Sequence, residues 1–163
     1  SPLYRHRAST PAMATWLASV PAGGGLDLGT ALAAHAAHQP HAAVTVVVSD
    51  FMVEPAAIEA GLEALRARRH DLILLQVVGR SELDPGHDGA TVALRDVETG
   101  ATHPVAVTRA VREAYQALFA EHAAALRALA TRHQALWARL VTDTGVVTFL
   151  TGELARLGLV RRR

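Results

Sequence analysis

The residues best suited to chemistry lie where apolar runs end. Ala43 to Phe51 reads AVTVVVSDF, a short Val-rich stretch that stops at Ser49-Asp50. An unbroken β-branched run predicts a strand buried on both faces of a parallel sheet, and in open α/β sheets ligands gather beyond the carboxyl ends of the strands. The Ser49 hydroxyl and Asp50 carboxylate are hard oxygen donors of the kind Mg²⁺ accepts. Asp143 follows a later apolar stretch, Leu136 to Val141, and offers a second carboxylate on the same edge if the two strands are parallel. With Mg²⁺, such a pair would suit a small α/β enzyme acting on a phosphorylated substrate. Both residues also have a plain reading: Asp50 starts a loop or caps the next helix, and Asp143 sits in a turn.

Two further groups invite a functional reading and give less. Gly23-Gly24-Gly25-Leu26-Asp27-Leu28-Gly29 precedes a helix, where backbone N–H groups can approach an anion. It lacks the Lys-Ser/Thr pair of a P-loop and follows a helix instead of a strand, so a tight structural turn is the simpler reading. The nine histidines, with His35 and His38 three apart, show no HExxH or other zinc spacing. Solvated or helix-packed roles account for them, and His122 reads as a satisfied core or boundary residue. Ser49 has no GxSxG elbow around it. The tail Arg161-Arg162-Arg163 reads as a solvated end.

The elements that must position these residues follow from periodicity and punctuation. Thr10 as N-cap and Pro11 open a helix to about Val20, with Met13, Trp16, Leu17 and Val20 on one face. After the Gly-rich break, a second helix runs from about Asp27 to His38 and Pro40 ends it. Glu54-Pro55 opens a third helix with the face Ile58, Gly61, Leu62 and Leu65, and Leu72 to Val78 reads as a second apolar strand. Strand, helix, strand in close succession predicts a right-handed βαβ unit with parallel strands. Gly79 to Gly89 is a polar loop, and residues 90–107 read as a hairpin around Glu98-Thr99-Gly100. A long helix from about Arg109 to His133 carries Val111, Tyr115, Leu118, His122, Leu126 and Leu129 on one stripe. The strand Leu136 to Val141 and a helix from Val147 to Leu157 complete the chain.

Composition bounds the function classes. A chain of 163 residues, half hydrophobic and 19% charged, predicts one folded domain with a sizeable core. The net charge of +1 provides no global field for nucleic acid or anionic lipid. Every basic residue is Arg, and the absence of cysteine excludes disulfides, thiolate metal sites and thiol nucleophiles. No apolar run approaches a membrane span, and no signal peptide is evident.

Five segments occur in an order that resembles a known bacterial family: GGGLDLGTAL (23–32), VVVSDF (46–51), LRARRHDLILLQVVGRSELDP (65–85), LRDVETG (94–100) and REAYQALFAEHAAALRALA (112–130). The chain resembles the domain of unknown function 58 family, whose core is similar to a von Willebrand factor A domain. The resemblance implies a Rossmann-like, three-layer α/β fold with a mainly parallel sheet and a hairpin insertion. It also implies a metal-ion-dependent adhesion site made from an Asp-x-Ser-x-Ser loop, a Thr in a Gly-Gly-Thr loop and an Asp after a later strand. Asp50 matches that Asp, with Ser49 beside it as a lesser candidate. Leu26 stands in the Thr position after Gly24-Gly25, Thr30 is a helical turn too far along, and the Asp-x-Ser-x-Ser loop has no counterpart.

On that resemblance residues 1–163 are expected to be the carboxyl-terminal part of one A-type domain, completed by another segment or chain. They are expected to act in the cytoplasm, at the inner face of the membrane if joined to the family's amino-terminal membrane helices. The implied function is a non-catalytic protein-interaction module partnered with a MoxR-type AAA+ ATPase, with weak or no metal binding and no other cofactor. The Mg²⁺-dependent enzyme using Asp50 and Asp143 is the alternative, and a scaffold with no site is a third reading.

Overall fold

Apolar strands alternating with amphipathic helices set the architecture. The structure is a computed structural model that describes residues 6–21, 27–84, 86, 89, 91–95 and 102–160. Helix α1 (Thr10–Ser19) and helix α2 (Leu28–His38) lead into strand β1 (Val44–Ser49), helix α3 (Pro55–Ala67) and strand β2 (Asp71–Val78). A short helix α4 (Arg80–Leu83) precedes the hairpin β3 (Thr91–Arg95) and β4 (Thr102–Ala106). Helix α5 (Arg109–Arg132), strand β5 (Leu136–Val141) and helix α6 (Val146–Phe149) follow, and α6 continues into a π turn at Leu150–Leu154.

β1, β2 and β5 form one open parallel sheet in the order β1-β2-β5, flanked by helices and consistent with a three-layer α/β fold. Register places Val47 beside Leu74, and Leu74 beside Trp137. The parallel βαβ unit and the antiparallel hairpin are as the sequence predicts. The hairpin's turn at Glu98-Thr99-Gly100 lies outside the described residues.

One face of the sheet meets α3 and α5. Val47, Leu72 and Leu74 are buried there with Ile58, Leu62 and Leu65 of α3 and Leu126 and Leu129 of α5. All four residues predicted for the face of α3 are buried. α2 reaches this core by close approach to α3: a Cβ on Gly29 would sit 2.1 Å from the Ala57 carbonyl oxygen, so only glycine fits. Caps fix where the helices begin. Asp27 accepts from the Thr30 N–H at 2.6 Å at the start of α2, and Thr108 accepts from the Val111 N–H at 3.2 Å at the start of α5.

Several details differ from the sequence expectation. β1 is not buried on both faces: Thr45 and Val47 are buried, whereas Val44, Val46 and Val48 are 63%, 53% and 61% exposed. No described helix covers their side of the strand, and β1 pairs only with β2 among the described strands. The α5 stripe is buried only in its second half, because Val111 and Leu118 precede the stretch that lies on the sheet. Thr10 is the first residue of α1 instead of its cap, and its hydroxyl donates to the Arg7 carbonyl at 2.8 Å. On the face expected for this helix, Met13, Leu17 and Val20, which follows α1, are exposed and Trp16 is half-buried. β2 is apolar except at Asp71, its exposed first residue, and at Gln76, which is fully buried. Among the described residues no helix is long and apolar enough to cross a membrane.

Candidate functional site

The carboxyl edge of the sheet is built around the turn that ends β1. The chain reverses at Phe51, whose φ of +55° is left-handed, a conformation that costs a bulky L-residue about 1–2 kcal/mol. Burial offsets that cost, since the Phe51 side chain is wholly inside the core. Local hydrogen bonds hold the turn. Ser49 Oγ accepts from the Phe51 N–H at 3.0 Å, and Asp50 Oδ1 accepts from the Met52 N–H at 3.1 Å.

Neighbouring elements tie the same turn down. His122 Nε2, on α5, donates to the Phe51 carbonyl at 2.8 Å, which makes it the satisfied boundary histidine expected from its place on the stripe. Gln76 Nε2 donates to the Asp50 carbonyl at 3.2 Å, and Arg139 Nε donates to Gln76 Oε1 at 3.0 Å. The Arg139 guanidinium lies 5.2 Å from the Phe119 ring centre and 5.3 Å from that of Trp137. Burial lowers its pKa, and Arg127 nearby adds to the effect. Beside the turn, Met52, Tyr115, Leu118, Phe119 and His122 line a hollow of about 250 Å³. Tyr115 closes one side, its hydroxyl donating to the Glu82 carbonyl at 2.7 Å; burial, then the Glu82 charge, raises its pKa.

This arrangement places the candidate residues plainly. Asp50 is exposed and Ser49 half-buried, both at the strand end as predicted. Asp143 sits in the turn after β5 and is paired with Arg80 at 3.6 Å. With β2 between β1 and β5, the two strand ends lie roughly 10 Å apart, too far for one ion to hold both carboxylates. Asp50 belongs to no cluster of three His, Asp or Glu side chains among the described residues. Its Oδ1 accepts the Met52 N–H, as Ser49 Oγ accepts that of Phe51. Leu26 is outside the described residues.

One other histidine, His70 beside β1, bears out a structural role. His70 is fully buried, its Nδ1 2.7 Å from Thr45 Oγ1 and its Nε2 3.1 Å from the Gln39 carbonyl. Sequence reasoning missed Gln76 and Arg139, which join β2 and β5 to the Asp50 turn. The available signal was a single amide inside LILLQVV, since a polar side chain in a buried run must find partners.

Comparison with known proteins adds one finding. The profile of the family described as "Protein of unknown function DUF58" matches residues 2–125, from the amino-terminal region into α5. No curated protein and no solved structure matches the chain.

Proposed function

The chain belongs to the DUF58 family, and from that premise we propose that it is a non-catalytic protein-interaction module whose partner is a MoxR-type AAA+ ATPase. Contact is made through the β1 side of the sheet and does not depend on metal. One observation supports this choice of surface: Val44, Val46 and Val48 are more than half exposed on a strand of an all-parallel sheet. Parallel sheets are ordinarily covered on both faces, and an edge strand is a template for added main-chain pairing. The identity of the partner rests on the family resemblance given above. Metal independence is supported by the separation of Asp50 from Asp143, with β2 between their strands, which gives one ion no carboxylate pair to share. No described feature favours the phosphate-processing alternative, because Asp143 is paired with Arg80 and separated from Asp50 by β2.

The test is capture of the MoxR-type ATPase from the same organism on the immobilised chain, with Mg²⁺ and with EDTA. Wild type should capture it equally in both, and Val46→Lys with Val48→Lys should lose most of the signal while melting cooperatively. Background capture by wild type would overturn the proposal, and loss of capture in EDTA would overturn its metal independence.

A further inference from the structure

A second group of donors lies on the covered side of the sheet, away from the Asp50 turn. Glu59 and Glu63 are four residues apart on α3 and so share one helix face. His133 follows α5 immediately and precedes β5, which puts it toward the amino end of the strands, the end opposite Asp50. One ligand atom from each of the three residues lies within 4.8 Å of the others.

Two acidic groups near each other would mean little, but the histidine adds an independent observation. The His133 ring is 8% exposed, and its Nε2 is buried with no hydrogen-bond partner. The nearest carboxylate oxygen, Glu59 Oε1, stands off at 3.5 Å. Buried polar atoms are nearly always satisfied, and an unmet one aimed at two carboxylates requires an explanation. Zn²⁺ bonds imidazole nitrogen and carboxylate oxygen at about 2.0–2.2 Å, which sets donor atoms on one tetrahedral ion roughly 3.5 Å apart. The Nε2–Oε1 separation already has that value.

We propose that Glu59, Glu63 and His133 form a zinc-type divalent metal site that pins α3 to the end of α5. His133 supplies the buried nitrogen, Glu59 the first oxygen, and Glu63, on the exposed side, closes the set by side-chain rotation. Three protein ligands leave a fourth position for water. The imidazole selects against Mg²⁺ and Ca²⁺, which prefer oxygen alone. Arg132 is the built-in competitor. It is 62% exposed and bonds the same Glu59 oxygen, so the metal displaces a solvent-facing side chain.

The experiment is calorimetric titration of the full, EDTA-stripped chain with ZnCl₂ alone, paired with thermal melts. Wild type should bind one equivalent and melt higher with zinc, and MgCl₂ should do neither. Glu63→Gln, at an exposed position that leaves the fold intact, should weaken zinc by about tenfold or more, as should His133→Gln. Arg132→Ala should tighten it, and Asp50→Ala should leave it unchanged. The proposal is overturned if wild type takes up no zinc, or if zinc binds Glu63→Gln as it binds wild type, which would assign it to scattered surface histidines. Loss of binding in Asp50→Ala would also overturn it. Arg132→Ala adds a readout that a purely structural Glu59–His133 contact would not move.

Discussion

At strand β1 the two faces of the parallel sheet are made of similar residues and have opposite fates. On one, Val47, Leu72 and Leu74 are buried against α3 and α5; on the other, Val44, Val46 and Val48 lie more than half exposed. Apolar strand-compatible composition is common to both sets, and it says nothing about which is covered. Coverage comes from the helices, whose apolar stripes at Ile58, Leu62, Leu65, Leu126 and Leu129 all meet the same side. Stability therefore concentrates on one face, and the other is exposed along β1.

Leu74→Ala tests that division most severely. Leu74 is fully buried at the centre of β2, and truncation should cost about 3 kcal/mol through lost transfer energy and the cavity left behind. Denaturant unfolding measures it. A loss below roughly 1 kcal/mol would mean that the covered face is loosely packed and the contrast weak.

Gln76→Leu is the next largest. It keeps the volume of a buried side chain but removes the acceptor of Arg139 Nε and the donor to the Asp50 carbonyl. Leaving those groups unmet should cost about 1–3 kcal/mol. The same variant should loosen the Asp50 turn, seen as faster hydrogen exchange at Phe51 and Met52. Unchanged exchange there would detach Gln76 from the turn.

Val46→Thr probes the open face directly and should change stability by no more than about 0.5 kcal/mol, because it retains β-branching where the side chain is half in water. A cost approaching that of Leu74→Ala would show that this face is covered in solution by a second copy or another segment.

What the sequence discloses and what it hides follow the same line. The βαβ unit was legible because Ile58, Leu62 and Leu65 recur at helical spacing between two apolar runs. The exposure of Val44, Val46 and Val48 was not, since this exposed face uses the residues of a buried one and leaves no polar alternation to read. Asp50 was found as a strand-end residue, yet its bond to the Met52 N–H depends on Phe51 being left-handed, which no rule for phenylalanine anticipates. The Glu59–Glu63–His133 cluster was invisible for a different reason. Its members come from elements joined only by tertiary packing, and zinc spacings are recognisable when ligands are close in sequence.

The smallest effect concerns the charge that spans the covered side. Glu59 on α3 pairs with Arg132 at the end of α5, and that hydrogen bond holds its carboxyl below the ordinary value of 4.5, with desolvation opposing and His133 assisting. A carboxyl with a depressed folded-state pKa contributes stability that is full above the unfolded value and is lost as pH falls through the folded one. Wild type should therefore exceed Glu59→Gln in melting temperature near pH 6, and the gap should shrink as pH falls below the ordinary carboxyl value of 4.5. Both side chains reach solvent, so high salt should narrow the gap as well. A gap that persists unchanged into acid would mean that Glu59 acts through its packed methylenes, leaving apolar contact alone to hold α3 against α5.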